Sequence, residues 1–404
     1  MFPPDDDAAW APLKKRWQIR PDTTYLNHGS FGPQPDVVRA SRRQWQEELE
    51  SQPMDFFVRK LEPAWLAARD KLARFVGTAS ENLIFVENAT SGMNIVADSF
   101  PLAPGDEVLL NDHEYGAVIR IWQRACQKAG AIAKIVELPL PFRTAEETVS
   151  AIFAPVTERT RLIVTSHITS PTAVTMPVRQ ICERAARRGI PVCLDGPHAI
   201  AQLPLAIDAL GCDYYTASCH KWLSAPFGSG FLYVAPLHQA LVRPPVLSWG
   251  RIPPTRIATW ADEFIWAGTR DPAPYFAIPA AIEFMEEIGL DAFRARTHWL
   301  ARYARARLVE AFGTEPILPD DPAWYTSMAH VPLPPPRNAK VPSDTSCAIG
   351  NPLPNIIFRE LGIEVPIVEF RGQRYIRVSC HLYNDTMQID RLVRGLAKLL
   401  EAGY

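Results

Sequence analysis

The chain has 404 residues, a formal net charge of -2, 47% hydrophobic content and 21% charged residues. This length suits one large domain and a smaller one, and the nearly balanced charge gives no global field that would attract nucleic acid or an anionic membrane. The start of the chain is acidic, and no run approaches the roughly 20 apolar residues of a membrane span. We therefore expect a cytoplasmic protein that acts on small molecules.

An N-terminal arm (1–24) precedes a long segment in which short apolar runs alternate with amphipathic ones. Residues 59–76 have helical spacing. The alternation predicts a mostly parallel sheet covered by helices on both faces, in a large domain that spans 25–285. The predicted strands are 83–86, 107–110, 132–136, 161–166, 191–195 and 212–218.

The pattern changes near Pro272, where long helical stretches begin. The proline-rich stretch 330–344 then predicts a loop. Residues 286–404 are interpreted as a smaller α+β domain, with the N-terminal arm packed near it. The predicted fold class is therefore α/β, with this smaller C-terminal domain added. Its predicted elements are a helix at 352–362, strands at 364–368 and 374–379, and a final helix from about Asp385.

Polar side chains follow two of the predicted strands. Asp195 ends one strand and His198 lies shortly after it, while Ser218, His220 and Lys221 follow the next strand. Asp-Gly alone is an ordinary turn dipeptide, but parallel strands end at one edge of a sheet, where such sheets bind ligands. A lysine in an apolar stretch is costly unless it is neutralised, paired or used covalently. The convergence predicts an active site.

Two chemistries use this set of groups. In the first, Lys221 forms a Schiff base with the aldehyde of pyridoxal 5'-phosphate, and Asp195 pairs with the protonated pyridine nitrogen. In the second, Asp195, His198 and His220 bind a divalent metal ion in a hydrolase, although no further ligand lies at a recognisable metal spacing. A binding protein without catalysis is the third class, and the presence of both Lys221 and Asp195 argues against it.

A predicted anion site favours the first chemistry. After the strand 83–86, Ala89, Thr90 and Ser91 open a predicted helix, and the free backbone N–H groups at a helix start bind anions. The simpler interpretation is an ordinary helix cap by Thr90 or Ser91. Because this helix start falls on the same sheet edge as Lys221, it suits a cofactor phosphate, and a metal site leaves it unexplained.

Six short motifs, in their order along nearly the whole chain, resemble class V, fold-type I pyridoxal-phosphate enzymes, and within them the isopenicillin N epimerase group. Each motif alone is a weak pattern, and their order makes the resemblance specific. The motifs are YLNHGSFGPQP (25–35), ENATSGMN (87–94), DHEYGAV (112–118), LDGPHAIAQLPLAIDALGCDYYTASCHKWL (194–223), WAGTRD (266–271) and IRVSCHLYN (376–384).

The resemblance implies the pyridoxal-phosphate-dependent transferase fold of type I, and catalytic roles for Lys221, Asp195 and His198, the last near the phenolic oxygen of the cofactor. Tyr115, which shares a loop with His113, would stack on the cofactor ring. The implied cofactor-binding residues are Ala89, Thr90, Ser91, Tyr115, Asp195, His198, Ser218, His220, Lys221 and, from a neighbouring subunit, Thr269. The last of these implies a homodimer with composite sites. The implied substrate-binding residues are Arg377, for an α-carboxylate, with Asn27 and His28.

The implied reaction begins when Lys221 removes the Cα proton of an amino acid or a derivative of one. Epimerisation, transamination and β-elimination by a carbon–sulfur lyase share this step, and the resemblance favours epimerisation. Trp249, Trp260 and Phe264 either shape a side-chain pocket or belong to the core or an interface.

The cysteines separate this chain from the cysteine desulfurases of the wider class. Those enzymes carry a nucleophilic cysteine in a small-domain loop, whereas no cysteine lies between Gly362 and Ser379 here. Cys347 and Cys380, on either side, are interpreted as structural, and we expect no persulfide intermediate. The odd count without a C-x-x-C pair also argues against disulfides or structural zinc. The seven cysteines are Cys126, Cys182, Cys193, Cys212, Cys219, Cys347 and Cys380.

Overall fold

The structure is a computed structural model that describes residues 2–254, 256–335 and 352–404. Within these ranges the strands are β1 (Thr24–Tyr25), β2 (Leu83–Val86), β3 (Glu107–Asn111), β4 (Ile132–Val136), β5 (Thr160–Ser166), β6 (Val192–Asp195), β7 (Tyr214–Ser218), β8 (Gly230–Val234), β9 (Met328–Pro332), β10 (Ile363–Glu364), β11 (Ile367–Phe370) and β12 (Gln373–Ser379). The α-helices are α1 (Asp7–Trp10), α2 (Asp36–Ser51), α3 (Pro53–Asp55), α4 (Leu61–Val76), α5 (Ala89–Ser99), α6 (Gly116–Ala129), α7 (Ala145–Phe153), α8 (Val178–Ala186), α9 (Ile207–Leu210), α10 (Ala273–Phe276), α11 (Ile278–Ile288), α12 (Leu290–Phe312), α13 (Pro352–Leu361) and α14 (Thr386–Glu401). A π-helical turn (Phe56–Lys60) and 3-10 turns (Ala11–Arg16, Ser80–Asn82, Pro236–Leu241 and Trp260–Phe264) lie between them.

Seven of the described strands form the central sheet, in the order β2-β8-β7-β6-β5-β3-β4. Only β8 runs antiparallel to its neighbours among these strands, which confirms the predicted mostly parallel sheet. Successive side chains alternate between two apolar cores: Phe85 and Ile163 belong to one, and Ile84 and Leu162 to the other. Because helices cover both faces, the inner strands are rich in buried apolar residues, as parallel strands usually are.

A smaller antiparallel sheet, in the order β11-β12-β9, lies in the C-terminal part of the chain, where α12 packs on α14 and β9. The predicted loop at 330–344 was wrong at its start, because His330–Pro332 belong to β9 and pair with β12. Pro332 is tolerated because β9 is an edge strand of this sheet, where a missing N–H need not break a ladder on both sides. Residues 336–344 of the stretch lie outside the described residues.

The N-terminal arm lies against the smaller domain, as expected. Asp7 forms an ion pair with Arg296 of α12 and accepts a 3.0 Å hydrogen bond from the backbone N–H of Thr386. Lys14 forms an ion pair with Asp385, which caps α14. The arm ends in β1, which pairs in parallel with β10. Of the helices described, none combines the length and the hydropathy that crossing a bilayer requires.

Candidate active site

Lys221 lies in the loop that follows β7, at the carboxyl edge of the central sheet. The loop is closed by hydrogen bonds from the Cys219 N–H to the Ser229 carbonyl, 2.9 Å, and from the Ser224 N–H to the Lys221 carbonyl, 2.9 Å. The chain near Gly32 passes so close that a Cβ atom there would lie 2.5 Å from the Lys221 carbonyl oxygen. Only glycine permits this approach, so part of the motif at 25–35 acts by clamping the lysine backbone.

His198 lies within hydrogen-bonding distance of the lysine amine, with its Nε2 atom 3.2 Å from Lys221 Nζ. Burial, together with the nearby Arg377 charge, lowers the pKa of Lys221, although the Asp195 carboxylate opposes this. Burial raises the pKa of Asp195 against the attraction of Lys221. Burial and the charges of Lys221 and Arg377 hold the pKa of His198 well below its usual range. The structure therefore brings the three predicted catalytic groups together in a setting that lowers the pKa of the lysine amine.

The predicted anion site lies at the start of α5. This helix begins at Ala89, as expected, but Asn88 caps it by accepting a 3.0 Å hydrogen bond from the Ser91 N–H. The Ala89 N–H donates to Ser218 Oγ at 2.9 Å, which ties the helix start to the end of β7. Thr90 is exposed in the first turn.

His220 supplies a further group on this side of the site. Its Nδ1 atom is buried without a hydrogen-bond partner in the described part of the chain. Burial lowers the pKa of His220 to about 4, so its ring is neutral at physiological pH. A buried ring nitrogen with no internal partner is free to bond a ligand.

Tyr115 and His113 occupy different environments although they share a loop. Tyr115 precedes α6 and is 47% exposed. His113 is fully buried, its Nδ1 lies 2.7 Å from the Thr172 hydroxyl, and its ring packs against Phe142 and Phe370. Burial lowers the pKa of His113 to about 4, so its neutral ring serves packing.

Arg377 of β12 brings a buried cation to the same region. Its guanidinium donates to the Ser170 carbonyl and, at 3.0 Å, to Ser30 Oγ, and its Nε has no partner among the described residues. No carboxylate of the described chain forms an ion pair with it, and burial lowers its pKa to about 10. Since buried charges are normally paired, this unpaired arginine suits an anionic ligand.

Asn27 and His28, the two residues predicted beside the substrate, differ in whether their side-chain polar atoms already have hydrogen-bond partners. Asn27 bridges to Ser379 at the end of β12, and its Oδ1 is buried without a partner within the described ranges. His28 is fully buried with both nitrogens engaged, 2.8 Å from the Tyr383 hydroxyl and 3.0 Å from the Lys221 carbonyl oxygen. His28 therefore supports the lysine loop, and Asn27 keeps a free acceptor.

Thr269 is exposed, and within the described residues no hydrogen bond joins it to the groups around Lys221. Its neighbour Arg270 pairs with Glu87 at 3.3 Å, just before the cap of α5.

The metal alternative is not supported. The described residues contain no group of three or more His, Cys, Asp or Glu side chains arranged to hold a metal ion. Asp195, His198 and His220 therefore do not form a ligand set.

The aromatic candidates belong mainly to the core and the surface. Phe264 is buried in the second core and Trp260 packs against it, whereas Trp249 is 62% exposed. The described cysteines are free and buried, and Cys347 lies outside the described residues.

Sequence reasoning missed three kinds of contributor. Trp222 donates its indole N–H to His198 Nδ1 at 3.1 Å, and its position directly after Lys221 was the only signal. The serines that hold Arg377 come from distant loops. Glu114 lies buried in the DHEYGAV motif and bonds the N–H and hydroxyl of Ser166 at 2.9 and 2.7 Å, and burial raises its pKa to about 8.

Comparison with known proteins adds the following. Residues 55–392 match the family model described as Aminotransferase class-V. Isopenicillin N epimerases from Amycolatopsis lactamdurans and Streptomyces clavuligerus are 35% and 33% identical, each over 97% of this chain and 98% of the relative. A putative L-cysteine desulfhydrase from Oryza sativa subsp. japonica is 29% identical over 94% of this chain and 83% of its own length.

Among solved structures, a lysine-to-alanine mutant of C-DES, with glycine covalently linked to the PLP cofactor, superposes with a TM-score of 0.76. It is 22% identical and covers 93% of this chain and 97% of its own. At this identity the similarity establishes the fold.

Proposed function

Because the chain belongs to the aminotransferase class-V family, we propose that it is a pyridoxal 5'-phosphate enzyme that epimerises an amino-acid-type substrate at its α-carbon. One observation carries this proposal. A lysine amine lies 3.2 Å from His198 Nε2, close enough to the Asp195 carboxylate and the Arg377 guanidinium for both charges to shift its pKa, and no carboxylate of the described chain pairs with Arg377. A partly buried lysine with a lowered pKa is suited to covalent and base catalysis.

The residues at the sheet edge fit the cofactor. His220 Nδ1, which has no partner in the part of the chain that the structure describes, suits a phosphate group, as do Ser218 and the exposed first turn of α5 at Thr90. The buried Asp195 suits a ring nitrogen that carries a proton. We assign the ring face to Tyr115, the phenolic oxygen to His198 and the carbonyl carbon to Lys221. When bound, the cofactor withdraws electrons from the α-carbon of an amino substrate.

Two residues act directly on the substrate in this proposal. Arg377 binds the α-carboxylate, because its planar fork matches a carboxylate and the described chain gives it no other anion. The Lys221 amine takes the Cα proton, because only a neutral amine has the lone pair for that step, and burial favours the neutral form. Asn27 bridges to Ser379, two residues beyond Arg377 on the same strand, and we assign its buried Oδ1, which lacks a partner among the described residues, to the substrate side.

Epimerisation is favoured because the relatives with 35% and 33% identity are named isopenicillin N epimerases. A carbon–sulfur lyase is the second candidate, since a relative with 29% identity is named as an L-cysteine desulfhydrase. For either reaction we predict no persulfide on the enzyme. Burial raises the pKa of Cys380 to about 12 and that of Cys126 to about 11, which makes them poor nucleophiles.

We also propose a homodimer with composite sites, in which Thr269 of one subunit reaches the phosphate of the other. The support is its exposed position, together with the exposed apolar side chains of Leu247 and Trp249, at 75% and 62%. Sedimentation equilibrium measures the mass directly, and a monomer at micromolar concentration would contradict this part of the proposal.

The test of the proposed function begins with the visible spectrum of the full-length protein mixed with pyridoxal 5'-phosphate. We expect a visible band that borohydride fixes on the peptide containing Lys221, as mass spectrometry would show. Lys221→Ala should lose the fixed adduct and all turnover, whereas Lys134→Ala, on the edge strand β4, should keep both. A wild-type protein that forms no band, or a band fixed on another lysine, would refute the assignment.

The reaction is then identified by incubation with a panel of amino acids in deuterated water. Deuterium at Cα with loss of chirality indicates epimerisation, keto acid without ammonia indicates transamination, and sulfide with pyruvate indicates a lyase. Either of the last two products without racemised substrate would overturn the epimerase proposal.

A further inference from the structure

Trp222 makes an unusual contact for a fully buried tryptophan, because it hydrogen bonds a histidine of the candidate active site. Its Nε1 lies 3.1 Å from His198 Nδ1, and the other nitrogen of that ring lies 3.2 Å from Lys221 Nζ. Three side chains are therefore connected by two successive polar contacts, from the indole through the imidazole to the amine.

The chemistry of the indole determines which atom is the donor and which is the acceptor in these two contacts. An indole N–H donates hydrogen bonds and cannot accept them, so His198 Nδ1 must present its lone pair to Trp222. The proton of the neutral ring then resides on Nε2. That N–H points at the lysine nitrogen, and an amine accepts it only with a lone pair, which the ammonium form lacks.

We propose that Trp222 is a positioning residue that fixes His198 as the Nε2–H tautomer and thereby favours the neutral form of the Lys221 amine. The proposal deepens the function proposed above and rests on it for the role of Lys221, but the tautomer itself is a property of this chain alone. Protonation of His198 at Nδ1 would place two N–H groups against each other, so the tryptophan also opposes the imidazolium form.

The surroundings of Trp222 hold the indole in place. Its ring lies 5.2 Å from the His28 ring, and a Cβ atom at Gly29 would lie 3.4 Å from the indole. His28 in turn donates from Nε2 to the Lys221 carbonyl oxygen at 3.0 Å. The His198 backbone is held as well, because Gln202 donates to its carbonyl oxygen at 2.5 Å. These contacts restrain the indole ring and the backbone that carries the imidazole.

The tautomer is measured by long-range 1H–15N NMR of the full-length chain without cofactor, labelled with 15N-histidine, at pH 8. His198→Gln identifies which of the nine histidine spin systems disappears. We expect a protonated Nε2 and an unprotonated Nδ1 for His198. An Nδ1–H tautomer or an imidazolium in the wild type would overturn the proposal, and this result needs no tryptophan variant that has to fold.

The consequence for Lys221 is measured with Trp222→Phe, which keeps an aromatic ring and removes the N–H. Four ionisable groups act on the amine, namely Asp195, Arg377, His198 and His220, and all of them stay in the variant. Acetic anhydride labels the neutral amine, and mass spectrometry of the Lys221 peptide gives the rate at pH 7. We expect the rate to fall about tenfold, the change in neutral fraction that one pKa unit produces.

Trp122→Phe is the matched control. Trp122 is also fully buried and its indole N–H also has a partner, Met93 Sδ at 3.2 Å, but it lies in α6 and in the second core. It should leave the His198 spectrum and the Lys221 labelling rate unchanged. Equal effects of the two substitutions, or no effect of Trp222→Phe on either measurement, would reduce Trp222 to a packing role. Failure of the cofactor experiments above would leave the tautomer result standing, so the two proposals fail separately.

Discussion

Two buried arginines of the smaller domain, Arg296 and Arg377, differ in what surrounds their charge. Arg296 pairs with the Asp7 carboxylate, donates to the Pro4 carbonyl at 2.8 Å, and lies 5.4 Å from the centre of the Trp299 ring.

Arg377 has hydroxyl and carbonyl partners from Ser30 and Ser170, and no carboxylate among the described residues. In both, the Nε has no partner among the described residues, so an unsatisfied Nε does not distinguish them. What distinguishes them is the countercharge, because Asp7 pairs with Arg296 and no described carboxylate pairs with Arg377. A buried charge that the fold leaves without its opposite points to a ligand, whereas a paired one belongs to the architecture.

Arg377→Gln should reduce catalytic activity and leave the stability of the fold nearly unchanged. We expect kcat/KM for the accepted amino acid to fall about 10²- to 10³-fold, since truncating one partner of a buried charge pair costs about 2 to 5 kcal/mol. The free energy of unfolding should change by less than about 1 kcal/mol, because no carboxylate is left unpaired. Steady-state kinetics and urea titration measure the two effects.

Arg377→Lys provides the intermediate case. It keeps the charge and loses the fork, so its kcat/KM should fall between those of the wild type and Arg377→Gln. A carboxamide analogue of the substrate should be discriminated against by the wild type and not by Arg377→Gln. Equal discrimination in both proteins would show that the carboxylate binds elsewhere.

Arg296→Gln should have the opposite effect, a loss of stability with catalytic activity unchanged. We expect the free energy of unfolding to fall by about 2 kcal/mol, less than the loss of a fully buried partner, because the Asp7 side chain stays 29% exposed. Activity per folded molecule should remain that of the wild type. Arg302 lies on the same helix as Arg296 and forms an exposed ion pair with Asp320, which follows that helix. Arg302→Gln should lower the free energy of unfolding by less than about 1 kcal/mol. A loss of activity without a loss of stability would contradict the structural role of Arg296.

The pH dependence of the Arg296 pair gives the smallest effect. Burial opposes ionisation of Asp7, but hydrogen bonds from Thr386 and Arg296 outweigh it and lower its pKa from 3.8. Its contribution to stability is therefore complete above about pH 3.8 and is lost as the pH falls through the lowered value. The stability gap between wild type and Arg296→Gln should narrow by a few tenths of a kcal/mol between pH 5 and pH 3, a rough figure for a partly exposed group. A stability difference that grows as the pH falls would contradict the lowered pKa of Asp7.

Much of the central sheet was predictable because its strands are short apolar runs. The run that ends at Asp195 and the run that ends at Ser218 become neighbouring strands β6 and β7, and their polar ends meet at one edge. The prediction failed where composition was misleading, as in β9, whose proline-rich continuation hid a strand. β1 was equally hidden, since its two residues form a strand only by pairing with β10 far along the chain.

The sequence alone determined which chemical groups stand at the carboxyl edge of the sheet. An apolar run that stops at a polar residue marks both the end of a strand and the start of a loop, so Asp195, Ser218 and Lys221 could be placed without coordinates. These are local properties of the chain.

Only the tertiary structure decided how those groups are charged and held. The partners of Arg377 lie 347 and 207 residues away, at Ser30 and Ser170, and no local pattern specifies such contacts. The same holds for Trp222, whose position beside Lys221 does not reveal that its indole reaches back to His198. Burial and the direction of a hydrogen bond arise from long-range packing, and they set the protonation states on which the proposed chemistry depends.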